Sequence, residues 1–530
     1  MPGTPPVDYD AIQTLSGMVR YHARMRPARP AFMYEDRMTD WAGFNRHTDQ
    51  VAFALVNSGL RPGDRIAYLG RGNDHYFELL FGAAKAGVVM VPVQWRLAPA
   101  EMAVILGDAQ PSLLFMAGDL AEAVPHLHQA GLSMPILAVE QAIAGAAGYA
   151  AWRDGAAPCP LEDENPDALA LFLYTSGTTG APKGVMHSHR SLLSGRRDLC
   201  KAGYDWNRWS DEDVNLVSMP VAHISGTGSA INAAFHGAAS LVHAQFDAAA
   251  VLAAFQAHNI TKLFMVPAAI GQILRQPGVR DIDFSRLETL FYGSSPIALD
   301  LLREAVAVFG CGFCQNYGMT ETAGTVVALL PEDHDPAGNR RMRGAGLPYP
   351  GVQLRIVDPA TRRLLGPGET GEIEIFTPQA MAGYWGKPAE TAKALTADGW
   401  VRTGDAGYLD DDGYLYIHDR IKDMIVSGAE NIYPAEVENA LFGHPAVADV
   451  AVIGVPDPRW GEAVKACVVL RAGQNADAEE LIAFARARIA GFKLPKSVDF
   501  LDELPRNAAG KVLKRALRDP YWTGQTRQVG

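Results

Sequence analysis

The sequence predicts an α/β protein with a large N-terminal domain and a smaller α+β C-terminal domain. Short apolar runs alternate with helix-like segments between residues 65 and 116, and again between residues 263 and 316. Such alternation indicates βαβ units, so we expect two related open sheets with helices on both faces. Near residue 351 the pattern changes to alternating apolar and polar residues, which predicts a small β-rich subdomain. A separate set of helices and strands follows Arg420.

Each element follows from its local pattern, beginning with an amphipathic helical entry over residues 11–60 that contains a short strand pair near 31–39. Strict alternation predicts a half-buried antiparallel strand over 371–376, and an Asp-Gly turn at 410–413 predicts a hairpin. The other expected strands are 65–70, 88–93, 112–116, 168–173, 263–266, 290–293, 311–316, 447–455 and 464–470. The expected helices are 74–87, 101–109, 268–274, 299–309, 434–442 and 477–489. We therefore place the two domains at residues 1–421 and 422–530.

Composition excludes several classes of protein. Apolar residues make up 48% of the 530 residues and charged residues 20%, as in ordinary globular proteins. The net charge of −12 argues against a nucleic-acid-coating protein. The apolar stretch 76–93 contains Glu78 and Lys85, so we expect no transmembrane segment, and no signal peptide is evident. The five cysteines, including the lone pair Cys311 and Cys314, predict reduced thiols in a cytoplasmic enzyme rather than a metal site.

The most informative stretch is YTSGTTGAPKG at residues 174–184, which follows an apolar strand. Its glycines allow backbone N–H groups to surround an anion, its hydroxyls add donors, and Lys183 adds a mobile positive charge. The candidate phosphate-binding residues are Thr175, Ser176, Gly177, Thr178, Thr179, Gly180 and Lys183. The order Pro-Lys-Gly differs from the Gly-Lys-Ser/Thr ending of an ordinary P-loop. The stretch resembles the phosphate loop of AMP-forming acyl-CoA synthetases, in the adenylate-forming superfamily.

Two further segments match that family, and the resemblance implies their roles. The turn formed by Gly293, Ser294, Ser295 and Pro296 would form one wall of an adenine slot. In the segment NYGMTET at 316–322, Tyr317 would stack on adenine and Asn316 would meet its exocyclic amine, with Gly318 and Met319 beside them. Thr320 would contact the α-phosphate, and Glu321 would ligate Mg²⁺. These roles agree with chemistry, since a flat ring prefers a flat partner and a hard cation prefers carboxylate oxygen.

The same resemblance assigns the ribose, the hinge and the catalytic lysine. Asp405 would accept hydrogen bonds from both ribose hydroxyls, and Arg420 would assist it. The mobile C-terminal domain would rotate about Lys422. Gly428 would let a pantetheine arm pass, and Asn431 would supply a donor. Lys511, in the frame PRNAAGK at 505–511, would be the adenylation lysine.

The resemblance implies an acid–thiol ligase that uses ATP, Mg²⁺ and CoA. We expect the acyl pocket between His223, Gly226, Gly293 and Gly318, where small residues leave room for a medium- to long-chain fatty acid. An aryl acid, a steroid side-chain acid, delivery to a carrier protein and an ATP-binding module without catalysis are the alternatives. The stretch 219–234 has no acidic residue, which disfavours an amino acid substrate. The oligomeric state stays open, with a homodimer as one alternative.

Overall fold

The computed structural model describes residues 6–161, 165–175, 182–427, 430–507 and 512–523. These residues form four sheets, two of them large, as the alternating pattern predicts. The α-helices among them are Leu15–Met25, Trp41–Asn57, Asp74–Lys85, Pro99–Ala109, Val124–Gln129, Tyr149–Asp154, His189–Ala202, Ile224–His236, Ala248–Ala257, Pro267–Leu274, Leu299–Phe309, Pro388–Ala394, Pro434–Phe442, Ala478–Arg486 and Lys514–Arg518.

The first large sheet has nine strands and is mostly parallel. In spatial order they are Leu347–Pro348, Gly324–Leu329, Gly312–Met319, Thr289–Gly293, Lys262–Met265, Val214–Val217, Ala239–Val242, Pro30–Tyr34 and Arg37–Asp40. The outermost pairs at both ends are antiparallel. The expected parallel units are therefore confirmed in the centre, while the edges show that the sheet is mixed.

The second large sheet has eight strands. In spatial order they are Gly383–Tyr384, Lys183–Ser188, Leu169–Thr175, Val89–Val93, Arg65–Leu69, Leu113–Ala117, Ile136–Val139 and Ala147–Gly148. The strands Val89–Val93 and Leu113–Ala117 are buried at every position, because helices cover both faces of a parallel sheet.

The helix Asp74–Lys85 shows how the long apolar stretch is accommodated. Asn73 caps it by accepting a hydrogen bond from the Tyr76 N–H at 2.8 Å. Its charged residues are paired inside the protein: Glu78 bonds Arg153 at 2.7 Å, and Lys85 bonds Asp49 at 2.6 Å. Pairing is what allows charges in a core. No helix among the described residues is long and apolar enough to cross a membrane.

The third sheet is the β-rich subdomain. Its four antiparallel strands are Gln353–Val357, Gly371–Phe376, Trp400–Leu409 and Leu415–Arg420. The antiparallel strand predicted over 371–376 is confirmed, but its half-buried character is wrong, because Glu372 and Glu374 are buried as well as the apolar residues. The polar face is covered by arginines: Glu374 accepts from Arg355 at 2.6 Å and also pairs with Arg362 and Arg402.

We expect Glu374→Ala to lower the free energy of unfolding by about 2–3 kcal/mol, since it leaves three arginines without their shared partner. This is below the roughly 3–5 kcal/mol of a fully buried pair because the arginines are partly exposed. Urea denaturation measures the change. Glu304→Ala removes an exposed partner of Arg280 and should cost about 1 kcal/mol or less. Equal losses in the two variants would contradict a special role for Glu374.

The C-terminal unit has its own core. Its strands are Glu430–Ile432, Ile425–Ser427, Gly461–Leu470, Val447–Asp457 and Ser497–Phe500. The helices Pro434–Phe442 and Ala478–Arg486 supply Val437, Leu441 and Leu481 to its apolar cluster. This α+β unit agrees with the expected architecture, while the boundary between residues 421 and 422 stays a prediction.

Candidate active site

Neighbouring strands of the nine-stranded sheet carry two of the predicted nucleotide segments. Strand Thr289–Gly293 lies parallel to Gly312–Met319, with Gly293 opposite Asn316. A Cβ on Gly293 would lie 2.1 Å from the Asn316 carbonyl oxygen, so only glycine fits there. Ser294 follows with a φ of 68°, and Ser295 and Pro296 complete the turn. The predicted slot wall is thus adjacent to the predicted adenine partners.

The segment 316–322 lies differently from expectation, because the strand does not end at residue 316. It continues to Met319 and pairs with Gly324–Leu329, and Thr320–Thr322 form a single 3₁₀ turn between the two strands. A Cβ on Gly318 would lie 1.9 Å from the Gly324 carbonyl oxygen, which explains the glycine. Pairing with the antiparallel strand Gly324–Leu329 extends the first strand, and this pairing cannot be predicted from the local sequence pattern.

Three predicted nucleotide-binding residues from distant parts of the chain meet in one hydrogen-bonded cluster. The Tyr317 hydroxyl donates to Asp405 Oδ2 at 2.8 Å, and Arg420 Nε lies 2.6 Å from Asp405 Oδ1. Asp405 and Arg420 face each other across a strand pair, so sheet register fixes their approach. Asp405 is 7% exposed. A carboxylate has about four lone-pair sites, so Asp405 can still accept from a sugar.

The carboxylate of Glu321 is also buried, at 7% exposure. It accepts a hydrogen bond from the Tyr384 hydroxyl at 2.7 Å. The Tyr384 ring lies 4.9 Å from Lys183 Nζ, and that ammonium pairs with Glu390 at 2.6 Å. A single carboxylate suits Mg²⁺, which usually binds one or two protein carboxylates together with phosphate and water. The ammonium of Lys183 is thus fixed in an ion pair with Glu390, although the sequence suggested a mobile charge.

Sequence reasoning missed His187, which anchors the turn containing Thr320. His187 Nε2–H donates to the Thr320 carbonyl oxygen at 2.8 Å. Burial lowers the pKa of His187 to about 4, so its ring is neutral near pH 7. The bond joins the strand Lys183–Ser188 to the predicted α-phosphate residue. The sequence of that strand, KGVMHS, shows no regular alternation, and no local pattern could have indicated the partner of His187.

The predicted phosphate loop is described only at its ends. Thr175 closes the strand Leu169–Thr175, and it pairs with Lys183 at the start of the next strand. Five of the predicted phosphate residues lie outside the described residues: Ser176, Gly177, Thr178, Thr179 and Gly180. Their roles stay predictions.

A cavity of about 130 Å³ adjoins the predicted adenine partners. Asn316 and Gly318 line it at one side, and Arg196, Asn207 and Trp209 line it elsewhere. Its wall also includes Phe264, Phe291, Tyr349, Asn215, Asn232, Ser225, Ser229 and Gln379. Small residues line the cavity as well, namely Gly195, Gly228, Ser294, Ala323 and Gly324. The cavity therefore combines the small residues that the sequence suggested with rings and amides that it did not.

The other expected acyl-pocket residues lie beside this cavity rather than on its wall. The residues that line it do not include His223, Gly226 or Gly293 among those the structure describes. His223 precedes the helix Ile224–His236, and burial lowers its pKa to about 4. A Cβ on Gly226 would lie 2.4 Å from the Pro220 carbonyl oxygen, so this glycine brings the helix close to the preceding loop. The acyl roles of these three residues stay predictions.

The predicted hinge lies in the short 3₁₀ turn Ile421–Asp423, and burial lowers the pKa of Lys422. Asn431 is exposed, and it lies opposite Val426 in a strand pair. Just before this turn, Asp419 receives Lys514 Nζ at 3.2 Å, so the end of the chain contacts the hinge segment. Gly428 and Lys511 lie outside the described residues, and their roles stay predictions.

Two large sheets, a hydrogen-bonded cluster of Tyr317, Asp405 and Arg420 and an α+β unit agree with the architecture expected of an adenylate-forming enzyme. The sequence models of two families match the chain: "AMP-binding enzyme" over residues 19–385 and "AMP-binding enzyme C-terminal domain" over residues 436–511. The chain belongs to the AMP-binding enzyme family, and it is an acid–thiol ligase. Enzymes of this family use ATP and CoA.

The similar proteins differ in the acid they act on. A fatty acid–[acyl-carrier-protein] ligase, ScoC, from Streptomyces coeruleorubidus is 43% identical and covers 98% of each chain. A feruloyl-CoA synthase from Amycolatopsis sp is 39% identical, over 94% of this chain and 96% of the relative. The ATP-bound crystal structure of MatB from Rhodopseudomonas palustris superposes with a TM-score of 0.85 at 30% identity, over 96% of this chain and 99% of that chain.

Proposed function

We propose that the protein activates a compact carboxylic acid with ATP, forms an acyl-adenylate with release of pyrophosphate, and transfers the acyl group to the thiol of CoA. The observation that carries this proposal is the cluster of Tyr317, Asp405 and Arg420, which adjoins a cavity through Asn316 and Gly318. A nucleotide bound at the cluster would present its α-phosphate near Thr320, toward an acid in the cavity.

The first half-reaction needs little covalent help from the protein, because positioning and charge neutralisation overcome the repulsion between two anions. The acid's carboxylate oxygen attacks the α-phosphorus, and pyrophosphate leaves. Asp405 would hold the ribose, and Tyr317 would pack against adenine. Lys511 and Lys183 would neutralise phosphate charge, which requires Lys183 to exchange Glu390 for phosphate. Mg²⁺ at Glu321 would supply further positive charge to the phosphates.

In the second half-reaction, the thiol attacks the acyl carbon and AMP leaves. The C-terminal domain, residues 422–530, would rotate about Lys422 to withdraw Lys511 and present Gly428 and Asn431 to the pantetheine arm. The contacts of Lys514 with Asp419 and Glu438, at 3.2 and 2.9 Å, would be among those that break and re-form. Burial and the two carboxylates act on Lys514 in opposite directions, and its pKa is raised, so it stays charged.

The cavity supports a compact acid with a ring or polar groups. Its volume of about 130 Å³ is below the roughly 300–1,000 Å³ of pockets for drug-sized ligands. A purely apolar tail would lie against the polar side chains of Arg196, Asn207 and Asn232 without offering them a hydrogen bond, which is unfavourable for polar groups removed from water. The aryl alternative is thus better supported by this geometry than the medium- to long-chain fatty acid that the sequence favoured.

Pyrophosphate release with a panel of acids tests the proposal. The panel contains benzoic, cinnamic and arylacetic acids, together with straight-chain acids of increasing length, each with and without CoA. We expect acid-dependent release of pyrophosphate with the compact acids, and thioester only when CoA is present. Activity that rises steadily with chain length would support the fatty acid prediction. A complete absence of acid-dependent AMP would contradict ligase activity altogether.

A second acceptor is supported by the similarity to ScoC, whose printed name is that of a fatty acid–[acyl-carrier-protein] ligase. The thiol would then belong to the phosphopantetheine of a carrier protein. Replacing CoA by a holo-carrier protein in the same assay separates the two acceptors. A thioester formed on the carrier but not on CoA would favour the second.

A further inference from the structure

The cavity beside the cluster of Tyr317, Asp405 and Arg420 contains a half-buried cation that the proposed reaction does not use. Arg196 lies on the helix His189–Ala202, and it lines the cavity together with Asn207 and Trp209. Burial lowers the pKa of Arg196 to about 10, so its guanidinium is still charged at pH 7. A charge in such a place is costly unless an opposite charge or several hydrogen bonds compensate it.

Hydrogen bonds compensate this guanidinium only in part. Nη2 donates to the Gly228 carbonyl oxygen at 3.1 Å, and Nη1 donates to the Leu192 carbonyl oxygen. Nε–H has no acceptor among the described residues. Since an arginine carries five N–H groups, these two bonds leave donors, Nε–H among them, for a further acceptor. The indole N–H of Trp209, on the same cavity wall, also lacks an acceptor among the described residues.

No described residue supplies the missing negative charge. Arg196 takes part in no ion pair with the described carboxylates, and no residue that lines the cavity is acidic. The ionisable groups that act on it, Tyr349 and Cys200, are neutral at pH 7, because burial raises the pKa of the tyrosine well above its usual value and that of the thiol to about 12. The charge can therefore be balanced only by something that enters the cavity or by a residue outside the described set.

We propose that the acid activated by this enzyme carries a second carboxylate at its far end, which enters the cavity and pairs with Arg196. This inference rests on the proposed function, since the first carboxylate must lie near Gly318 and Thr320 for adenylation. Arginine suits the role because its planar fork can bind a carboxylate through two parallel hydrogen bonds. The side chains of Asn207 and Trp209, which line the same cavity, would donate further hydrogen bonds to this carboxylate.

The packing around Arg196 supports a fixed position for its head group. A Cβ on Gly228 would lie 3.3 Å from Arg196 Nη2, so glycine leaves just enough room for the guanidinium against the helix Ile224–His236. A side chain held in place loses little entropy on binding, which favours selection by geometry as well as by charge. A hydrophobic chain end in the same place would leave the guanidinium uncompensated.

The test compares each α,ω-dicarboxylic acid of four to eight carbons, and benzene-1,4-dicarboxylic acid, with the monocarboxylic acid of the same skeleton. We expect the wild-type enzyme to have a higher kcat/KM for pyrophosphate release with at least one dicarboxylic acid than with its partner. In Arg196→Met we expect the ratio of the two values to fall about a hundredfold, as for truncation of a buried charge pair. Arg196→Lys keeps the charge but not the fork, so its ratio should lie between the two.

Arg197→Met is the matched control. Arg197 is the next residue, but it donates to the Tyr9 and Ile12 carbonyl oxygens and does not line the cavity. Its ratio should match that of the wild type. Should Arg196→Met fail to fold, calorimetric binding of each acid pair to the wild-type enzyme with a non-hydrolysable ATP analogue decides the question by itself.

The outcomes separate this inference from the proposed function. The role of Arg196 would be overturned if every monocarboxylic acid were turned over, or bound, as well as its dicarboxylic partner, and if Arg196→Met left the ratio of the two kcat/KM values unchanged. The ligase activity would then stay intact. Failure of every acid to yield AMP would contradict the proposed function. In that case, tighter calorimetric binding of a dicarboxylic acid than of its partner would still support the site, and equal binding would overturn it.

Discussion

Lys511→Ala should lower the rate of acid-dependent pyrophosphate release about a hundred- to thousandfold, because it removes one well-placed positive charge from the transferring phosphate. Thioester formation from a supplied acyl-adenylate should be nearly retained. The asymmetry follows from the chemistry: the first half-reaction joins two anions, whereas the second has a thiol and a neutral carbonyl carbon. The lysine therefore matters only while pyrophosphate is leaving.

The two half-reactions are measured separately, the first by pyrophosphate release without CoA and the second by AMP release from a synthetic acyl-adenylate with CoA. Lys496→Ala removes an exposed lysine from the same domain and controls for the loss of one positive charge. Equal losses in both half-reactions of Lys511→Ala would refute the scheme in which the C-terminal domain takes two positions. A normal first half-reaction would refute the assignment of Lys511 itself.

Elements fixed by local pattern were predicted well. The helices Leu299–Phe309 and Pro434–Phe442 begin and end where the sequence placed them, because each has a clear apolar face and a proline or glycine at one end. Strand Gly312–Met319 ran three residues further than predicted, since its length depends on an antiparallel partner distant from any local window. Glu374 was misplaced for a similar reason, because its arginine partners come from other strands.

The candidate site likewise contains residues that the sequence could predict and residues that it could not. The residue types that meet a nucleotide stand in motifs, so Tyr317, Asp405 and Arg420 could be named from the sequence, and the structure brings them together. Arg196 stands in no motif. Only the fold shows that it lies in a cavity wall, away from any described carboxylate. The reaction type could therefore be predicted from motifs in the sequence, while the proposed acid specificity depends on packing that only the structure shows.

Asp405→Ala should raise the KM for ATP by roughly tenfold to a hundredfold for each ribose hydrogen bond lost, since a bond to a charged group contributes about 1.5–3 kcal/mol. The variant also leaves the Arg420 guanidinium and the Tyr317 hydroxyl without their shared partner. Steady-state pyrophosphate release at saturating acid gives the KM. Asp411→Ala, in the exposed turn of the same hairpin, is the matched control and should leave the KM unchanged.

An ATP analogue that lacks the ribose hydroxyls distinguishes a direct contact of Asp405 with the ribose from a general distortion of the site in the variant. With 2′,3′-dideoxy-ATP, the wild-type enzyme should lose the same affinity that the Asp405→Ala substitution removes, and the variant should lose little more. The two changes would then be strongly non-additive, as expected for groups that touch each other. Additive losses would mean that Asp405 acts only by holding Arg420 and Tyr317 in place, because a carboxylate that never bonds the sugar cannot be coupled to it.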